Sequence, residues 1–364
     1  MSMDGHTPGE PSPGPAARHR GGKPVMMDVA RLAGVSHQTV SRVLNDHPSV
    51  RRETRERVLQ AMRQLDYRRN TAARTLVTRR SRTLGLVSFD TTLIGPSSMV
   101  YAIERAAREA GYFVSIASAR SLREHSVSEA VNRLREQAVE GILAIAPMET
   151  ATAALLRIPV DIPLVGIGVA EPAGIPMVGV DNMAGAILAT RHLLDLGHRT
   201  VHHISGPPGW PEADERVVGW RRALAERDAP ESPVRVGDWS SRSGYDVARS
   251  LAADPAVTAV FCANDQMALG ALRAFSEVGR WAPRDLSVIG YDDIPEAAYF
   301  QPPLTTVQQD FAKLGRCSIE LLIEQIDTGQ RIQRHLRFPP GLVVRDSTAA
   351  PRRPADLASS QKGS

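Results

Sequence analysis

From Leu84 onward, short apolar runs alternate with stretches of helical periodicity, and this alternation narrows the possible folds more than any other feature. "LGLVSF" is followed by a helical pattern from Met99 to Ala110 and "FVSIAS" by one running to Val139; "GILAIAP", "PLVGIG" and "VGVD" then precede "AGAILATRHLLDLG". The plan repeats with "TVHHISG", "RVVGWRRALAERD", "VRVGDW", "TAVFCAND", "MALGALRAFSEVG" and "LSVIGYDD". Strands that read as unbroken apolar runs are buried on both faces, which calls for parallel sheets covered by helices on either side. There are enough runs for two such sheets. The expected core is therefore α/β, two doubly wound lobes flanking a cleft.

Ligands of open α/β sheets bind beyond the carboxyl ends of the strands. That rule selects Phe89 and Asp90 after the first run, Trp239, Asn264 and Asp292 after later ones, and Arg216 at the start of the helix after "TVHHISG". Guanidinium, amide and carboxylate together suit vicinal hydroxyls, and Trp239 or Phe89 can stack on a sugar face. Taken singly, each also has a structural reading: Asp292 as a turn cap, Arg216 in a surface ion pair.

The N-terminal part has a different character. Between Val25 and Arg82 there are thirteen arginines against five acidic residues, a net of +8 in a chain whose total is +4. Residues 1–24 add +1, so the residues from Thr83 onward sum to −5, and the positive charge is local to one end. Such a segment is drawn to phosphates, although a solvated helix face would have the same charge. The stretch "DVARLAGVSHQTVSRVLN" separates the two readings. Met27 to Ala33 reads as a helix with Val29, Ala30 and Leu32 as its apolar positions, and Gly34 can take the positive φ that ends it. Ser36 stands at an N-cap position, and Val40, Val43 and Leu44 form the apolar side of a second helix. A third helix is expected over 49–65, where Val58, Leu59, Met62 and Leu65 recur at helical spacing. The pattern is a helix-turn-helix. His37, Gln38, Ser41 and Arg42 project from the first turns of the second helix, where a major-groove helix meets base edges; Gln pairs with adenine and Arg with guanine.

These residues, with "TRERVLQAM", "NTAARTLVTRRSRTLGLV", "ANDQMALGAL", "VIGYDD" and "PPLTTVQQD", closely resemble the lactose-repressor (LacI) family. The resemblance implies an all-α headpiece and a core of the periplasmic binding protein type I kind, with the chain crossing between lobes near 180, near 308 and again near its end. It implies that His37, Gln38 and Arg42 read bases, that Asn45 binds backbone phosphate and that Leu76 is the hinge leucine. A hinge helix from Asn70 to Val77 is too short to be stable alone in water. Paired across a dimer, two such helices can wedge leucines between base steps of a widened minor groove. In the core, the resemblance makes Arg216, Asn264 and Asp292 effector contacts, and Leu93, Pro96 and Trp239 an apolar wall. Two polar positions of the lactose repressor's sugar site appear here as Ile145 and Gly168, and Phe89 replaces a small polar residue, so the sugar need not be a galactoside.

The expected organisation is a disordered tail (1–24), the headpiece (25–69), hinge helix and linker (70–82), an effector-binding and dimerisation core (83–347) and a second disordered tail (348–364). That tail shows no leucine heptads, which favours a homodimer and hence a pseudo-palindromic operator. Two distant cysteines, the absence of a secretory apolar run and the absence of any stretch of about 18 apolar residues point to a cytoplasmic protein without a membrane span. His192, His198, His202 and His203 cluster in sequence without a completing carboxylate or thiolate, so no metal is expected. No GxGxxG, P-loop or GxSxG pattern follows a strand, and no cofactor or catalytic residue is expected. The leading expectation is a sugar-released transcriptional repressor. A co-repressor or non-sugar effector on the same architecture, a solute-binding receptor and, least of all, an enzyme are the alternatives.

Overall fold

A computed structural model describes residues 24–67, 80–89, 92–119, 124–145, 153, 155–157, 162–169 and 174–352. The chain divides into two compact units, Met1–Arg80 and Ser81–Ser364.

In the first unit, α1 (Met26–Ala33) ends at Gly34, whose φ of 64° is the left-handed conformation that a side chain would strain. Helix α2 (His37–Leu44) starts at Ser36, whose hydroxyl accepts the Thr39 N–H at 3.1 Å. Helix α3 (Arg52–Gln64) begins three residues later than expected. Val29, Ala30, Ala33, Val40, Val43, Val58, Ala61 and Tyr67 form the small core. Leu32 and Leu59, assigned to that core from sequence, instead lie exposed at 50% and 39%. Ala33 lies four residues after Val29 and three after Ala30, on the buried side of α1, and Leu32 falls beside it toward solvent. Arg55 donates to Asp46 at 2.5 Å and to the His47 carbonyl at 3.2 Å, pinning the turn after α2 to α3.

The second unit holds two six-stranded sheets of the expected kind. The first lobe contains β1 (Thr83–Ser88), α4 (Ile94–Glu109), β2 (Phe113–Ser118), α5 (Glu124–Glu136), β3 (Ile142–Ile145), β4 (Leu164–Ile167) and β5 (Met177–Val180). The second contains α6 (Asn182–Asp195), β6 (His202–Ser205), α7 (Pro211–Ala225), β7 (Arg235–Val236), α8 (Ser241–Ala252), β8 (Ala259–Cys262), α9 (Asp265–Glu277), β9 (Ser287–Asp292) and β10 (Thr305–Gln308). The chain then returns to the first lobe with α10 (Phe311–Thr328) and β11 (His335–Phe338), and ends on the second with β12 (Gly341–Val343). The strand orders are β2-β1-β3-β4-β5-β11 and β7-β6-β8-β9-β10-β12. Every pairing is parallel except β10 with β12. The crossings expected near 180, near 308 and close to the end thus fall after β5, after β10 and between β11 and β12.

Alternation along each strand feeds both faces of its sheet. Leu86, Leu143 and Val165 pack with Met99 and Ile103 of α4 and with Leu314 and Leu322 of α10. Val87, Ala144 and Leu164 pack with Val127 and Leu134 of α5 on the opposite face. In the second lobe, Val260 and Val288 face α8 and α9, while Phe261 and Ile289 face α6 and α7. Helices α8 and α9 cross closely because Gly270 has no Cβ; one would run into the Ser241 carbonyl.

The start of the expected C-terminal tail is ordered. The Ala349 N–H donates to Ser287 Oγ at 3.0 Å, and Thr348 Oγ1 bonds His192 Nε2 at 2.9 Å. The packed core therefore extends past residue 347, because this segment satisfies buried polar groups of the second lobe. Among the described residues no helix is long and apolar enough to cross a membrane.

Candidate effector cavity and reading helix

A cavity of about 380 Å³ lies between the two lobes of the second unit. Six of the seven residues expected at an effector site line it: Leu93, Pro96, Arg216, Trp239, Asn264 and Asp292. Phe89 does not. Strand alternation puts it on the same side as Val87, where it is 5% exposed in the α5-facing cluster of the first lobe. Its neighbour Asp90 lies outside the described residues. Leu93 and Pro96 enter the wall because α4 starts at Ile94, five residues before the expected start. A proline is tolerated in a first helical turn, so the Gly95-Pro96 pair does not delay the helix.

The second lobe supplies the polar wall. Arg216 of α7 is only 5% exposed, and its guanidinium is already partnered. Nε donates to Asn182 Oδ1 at 3.0 Å, Nη1 donates to the Ala263 carbonyl and Nη2 sits 3.9 Å from Asp292 Oδ1. Its centre stacks 3.7 Å from the Tyr291 ring centroid. Asn264 caps α9: Oδ1 accepts the Met267 N–H at 2.9 Å, and Nδ2 donates to the Trp239 carbonyl at 2.9 Å. That bond helps hold Trp239 at a φ of 75°, in the region where only surrounding structure keeps a non-glycine residue. Gly206 makes room for the Trp239 ring, which a Cβ at that position would strike. Asp292, at a φ of 112°, accepts from Gln309 Nε2 at 2.6 Å. Burial pushes its carboxyl up to about 6 against the pull of Arg216 and Gln309.

Several lining residues escaped the sequence reading. Trp210, just before α7, meets Trp239 edge to face at 5.7 Å. Glu212 lies four residues before Arg216, on the same face of α7; that i, i+4 spacing was a signal available in the sequence. Burial raises the Glu212 carboxyl to about 7. Gln266 and Gln309 also line the cavity. Asp265 sits behind the wall, where Oδ1 accepts from the Thr306 hydroxyl at 2.6 Å and Oδ2 accepts the Ile294 N–H at 2.9 Å. Burial lifts its carboxyl to about 8. The first-lobe wall, by contrast, is apolar: Met99, Ile145, Ile167, Phe311 and Leu314 line it, and none of its described residues is charged.

The clustered histidines act within the fold. His198 Nδ1 bonds Thr258 Oγ1 and Nε2 bonds Ser287 Oγ, both at 3.0 Å. His203 stacks on Phe261 and Trp220, and burial lowers it to about 4.

In the first unit, α2 buries Val40 and Val43 and leaves His37, Gln38, Arg42 and the C-cap Asn45 exposed, with Ser41 half-buried. The side chains of His37, Gln38 and Arg42 make no hydrogen bond or ion pair among the described residues. His37 and Gln38 open the helix and Arg42 lies in its last turn, all three exposed. Leu76 and the hinge helix lie outside the described residues.

A family model described as "Bacterial regulatory proteins, lacI family" matches residues 25–70, and one described as "Periplasmic binding protein-like domain" matches residues 190–348. The lactose operon repressor of Escherichia coli (strain K12) is 35% identical over 332 residues, covering 90% of this chain and 92% of its own. The HTH-type transcriptional repressor PurR of Haemophilus influenzae (strain PittEE) is 32% identical over 329 residues, covering 88% and 97%. Among solved structures, the lac repressor dimer bound to operator and the anti-inducer ONPF matches with a TM-score of 0.79 at 35% identity, over 90% of this chain and all of that one. The CelR–cellobiose complex matches with a TM-score of 0.66 at 32% identity, over 89% and 99%. With repressors of this kind matching along about nine-tenths of its length, the chain belongs to the LacI family of bacterial regulatory proteins.

Proposed function

We propose that the protein is a dimeric, cytoplasmic transcriptional repressor whose operator binding is controlled by a sugar in the cavity between its lobes. The observation that carries this reading is the pairing of an exposed, unpartnered His37-Gln38-Arg42 face on α2 with a two-walled cavity in a separate unit. His37, Gln38, Ser41 and Arg42 would contact base edges, Asn45 a phosphate, and Leu76 the minor-groove step at the operator centre. Arg216, Asn264 and Asp292 would face the ligand's hydroxyls, and Leu93, Pro96 and Trp239 its apolar surface. Support for a sugar comes from the stacking surfaces and the polar wall, and from a relative solved with cellobiose. A ligand that binds two lobe arrangements with different affinity shifts the balance between them, and so the spacing of the paired hinges.

The test is selection of binding sites from a random DNA pool with the full chain, followed by binding to the selected site and to random DNA. A pseudo-palindrome is expected. Gln38→Ala should reduce discrimination at one base pair per half-site by about 1–3 kcal/mol with random-DNA binding nearly unchanged; equal loss on both DNAs would refute the assignment of α2 as reading helix. Added sugars then give the sign: operator release marks an inducer and tightening a co-repressor.

A further inference from the structure

Resting on the reading of the cavity as an effector site, we infer that Glu212 selects the charge class of the effector, admitting uncharged or cationic polyhydroxylated ligands and excluding phosphorylated or carboxylated ones.

Three lining side chains have a buried polar atom without a partner among the described residues: Glu212 Oε2, Gln266 Oε1 and the Trp239 indole Nε1. Trp239 is 9% exposed, so its N–H has little access to water. Leaving a buried polar group unpaired is costly, because it gives up its bonds to water and gains none in return. Three in one cavity point to a ligand that supplies the missing partners. Two are acceptors and one is a donor, so the complementary ligand offers at least two donors and one acceptor, as neighbouring hydroxyls do.

The charge balance decides which polyhydroxylated ligand fits. Glu212, Asp238 and Asp292 line the cavity, and Arg216 is its one described cation. Arg216 is already bound by Asn182, the Ala263 carbonyl and the Tyr291 face, with Asp292 beside it. Glu212 thus has no cation of its own. On its helix, Arg216 favours its charge while Asp214 and Glu215 oppose it, and burial outweighs them all. A ligand phosphate or carboxylate would add an anion opposite an uncompensated carboxyl, whereas a hydroxyl or ammonium would give Glu212 Oε2 its missing donor.

Trp210 and Trp239 line the cavity, so tryptophan fluorescence of the full chain, checked by thermal shift, can report on binding. The probes are glucose, galactose, cellobiose and o-nitrophenyl galactoside; glucosamine; and glucose 6-phosphate, galactose 6-phosphate and glucuronic acid, all at about pH 8. Binding is expected from neutral or amino probes and not from the anionic ones. Glu212→Gln keeps the shape and one acceptor but removes the charge. It should weaken the bound probe by about tenfold and narrow the gap to that probe's anionic counterpart. Two outcomes would overturn the inference while leaving the effector site intact: an anionic probe binding the wild type as tightly as its neutral parent, or an unchanged affinity in a Glu212→Gln protein with a native circular dichroism spectrum. Silence from every probe would overturn both the inference and the sugar reading.

Discussion

The two lobes share one strand order but present opposite chemistry to the cleft. The first offers Met99, Ile145, Ile167 and Leu314; the second offers Arg216, Asn264, Asp292, Glu212 and Gln266. The shared topology brings strand ends to the same place in each lobe, and the side chains on those ends decide what the place does. A cleft with one apolar and one polar wall holds a ligand by two unlike forces. Closing it removes water from the apolar wall and strengthens the electrostatics of the other.

The contrast can be broken most severely at Arg216. Arg216→Ala leaves Asp292 without its cation and the Asn182 and Ala263 oxygens without their donor. A loss of about 3–5 kcal/mol in core stability is expected, together with loss of effector response. Urea unfolding of the full chain with a core-specific probe measures it; a loss below about 1 kcal/mol would mean that the polar wall is not a connected network.

The second test uses pH. The folded chain holds the Glu212 proton up to about 7, while an unfolded chain releases it near the ordinary carboxyl value of 4.5. Wild-type stability attributable to this group is therefore full below about 4.5 and falls as pH rises through 7. Glu212→Gln removes that decline, so its advantage in Tm over wild type should grow between pH 5 and 8, by up to about 3 kcal/mol equivalent. A constant difference across that range would place the carboxyl in water.

The apolar wall should respond less. Ile145→Val removes one methylene from a residue 6% exposed, and about 0.5–1.5 kcal/mol of stability should go with it, independent of pH. A pH-dependent effect would show the two walls to be coupled. The smallest effect is expected between the lobes, where Arg337 of β11 donates to Glu215 of α7 at 2.8 Å. With both side chains partly exposed, Arg337→Gln should change stability by less than about 1 kcal/mol. A clear change in effector midpoint without that stability loss would identify the pair as a clasp on lobe closure.

Legibility in the sequence followed the same division. The apolar runs at Leu84, Ile142 and Val260 became buried strands because parallel sheets have one environment on both faces, and periodicity reports that directly. The residues at the strand ends were found by the carboxyl-end rule, but the rule gives a position and not a direction. It succeeded for Asn264 and Asp292 and failed for Phe89, whose place on the strand turns it toward α5. Glu212 and Gln266 lie in the first turns of helices and Trp210 caps one, so none belongs to a strand end and no rule applied to strands could find them. The isolated small core of the headpiece was read well except at Leu32 and Leu59, where a 13-residue helix and two shorter ones leave too little interior for every apolar side chain.

The three crossings also have a consequence for the order in which the chain can be completed. The second lobe draws all but its edge strand β12 from 182–308, whereas the first needs α10 and β11 from beyond residue 310. On a ribosome, the earlier-made half of the first lobe waits with one face of its sheet covered by α4 alone while the later-made lobe closes around its own core. The apolar wall of the cavity is thus the last surface to be finished, because Phe311 and Leu314 arrive with the returning helix. A chain stopped before α10 would have a nearly whole second lobe and a cavity whose apolar wall lacks Phe311 and Leu314, so the ligand's surroundings are complete only when synthesis is almost over.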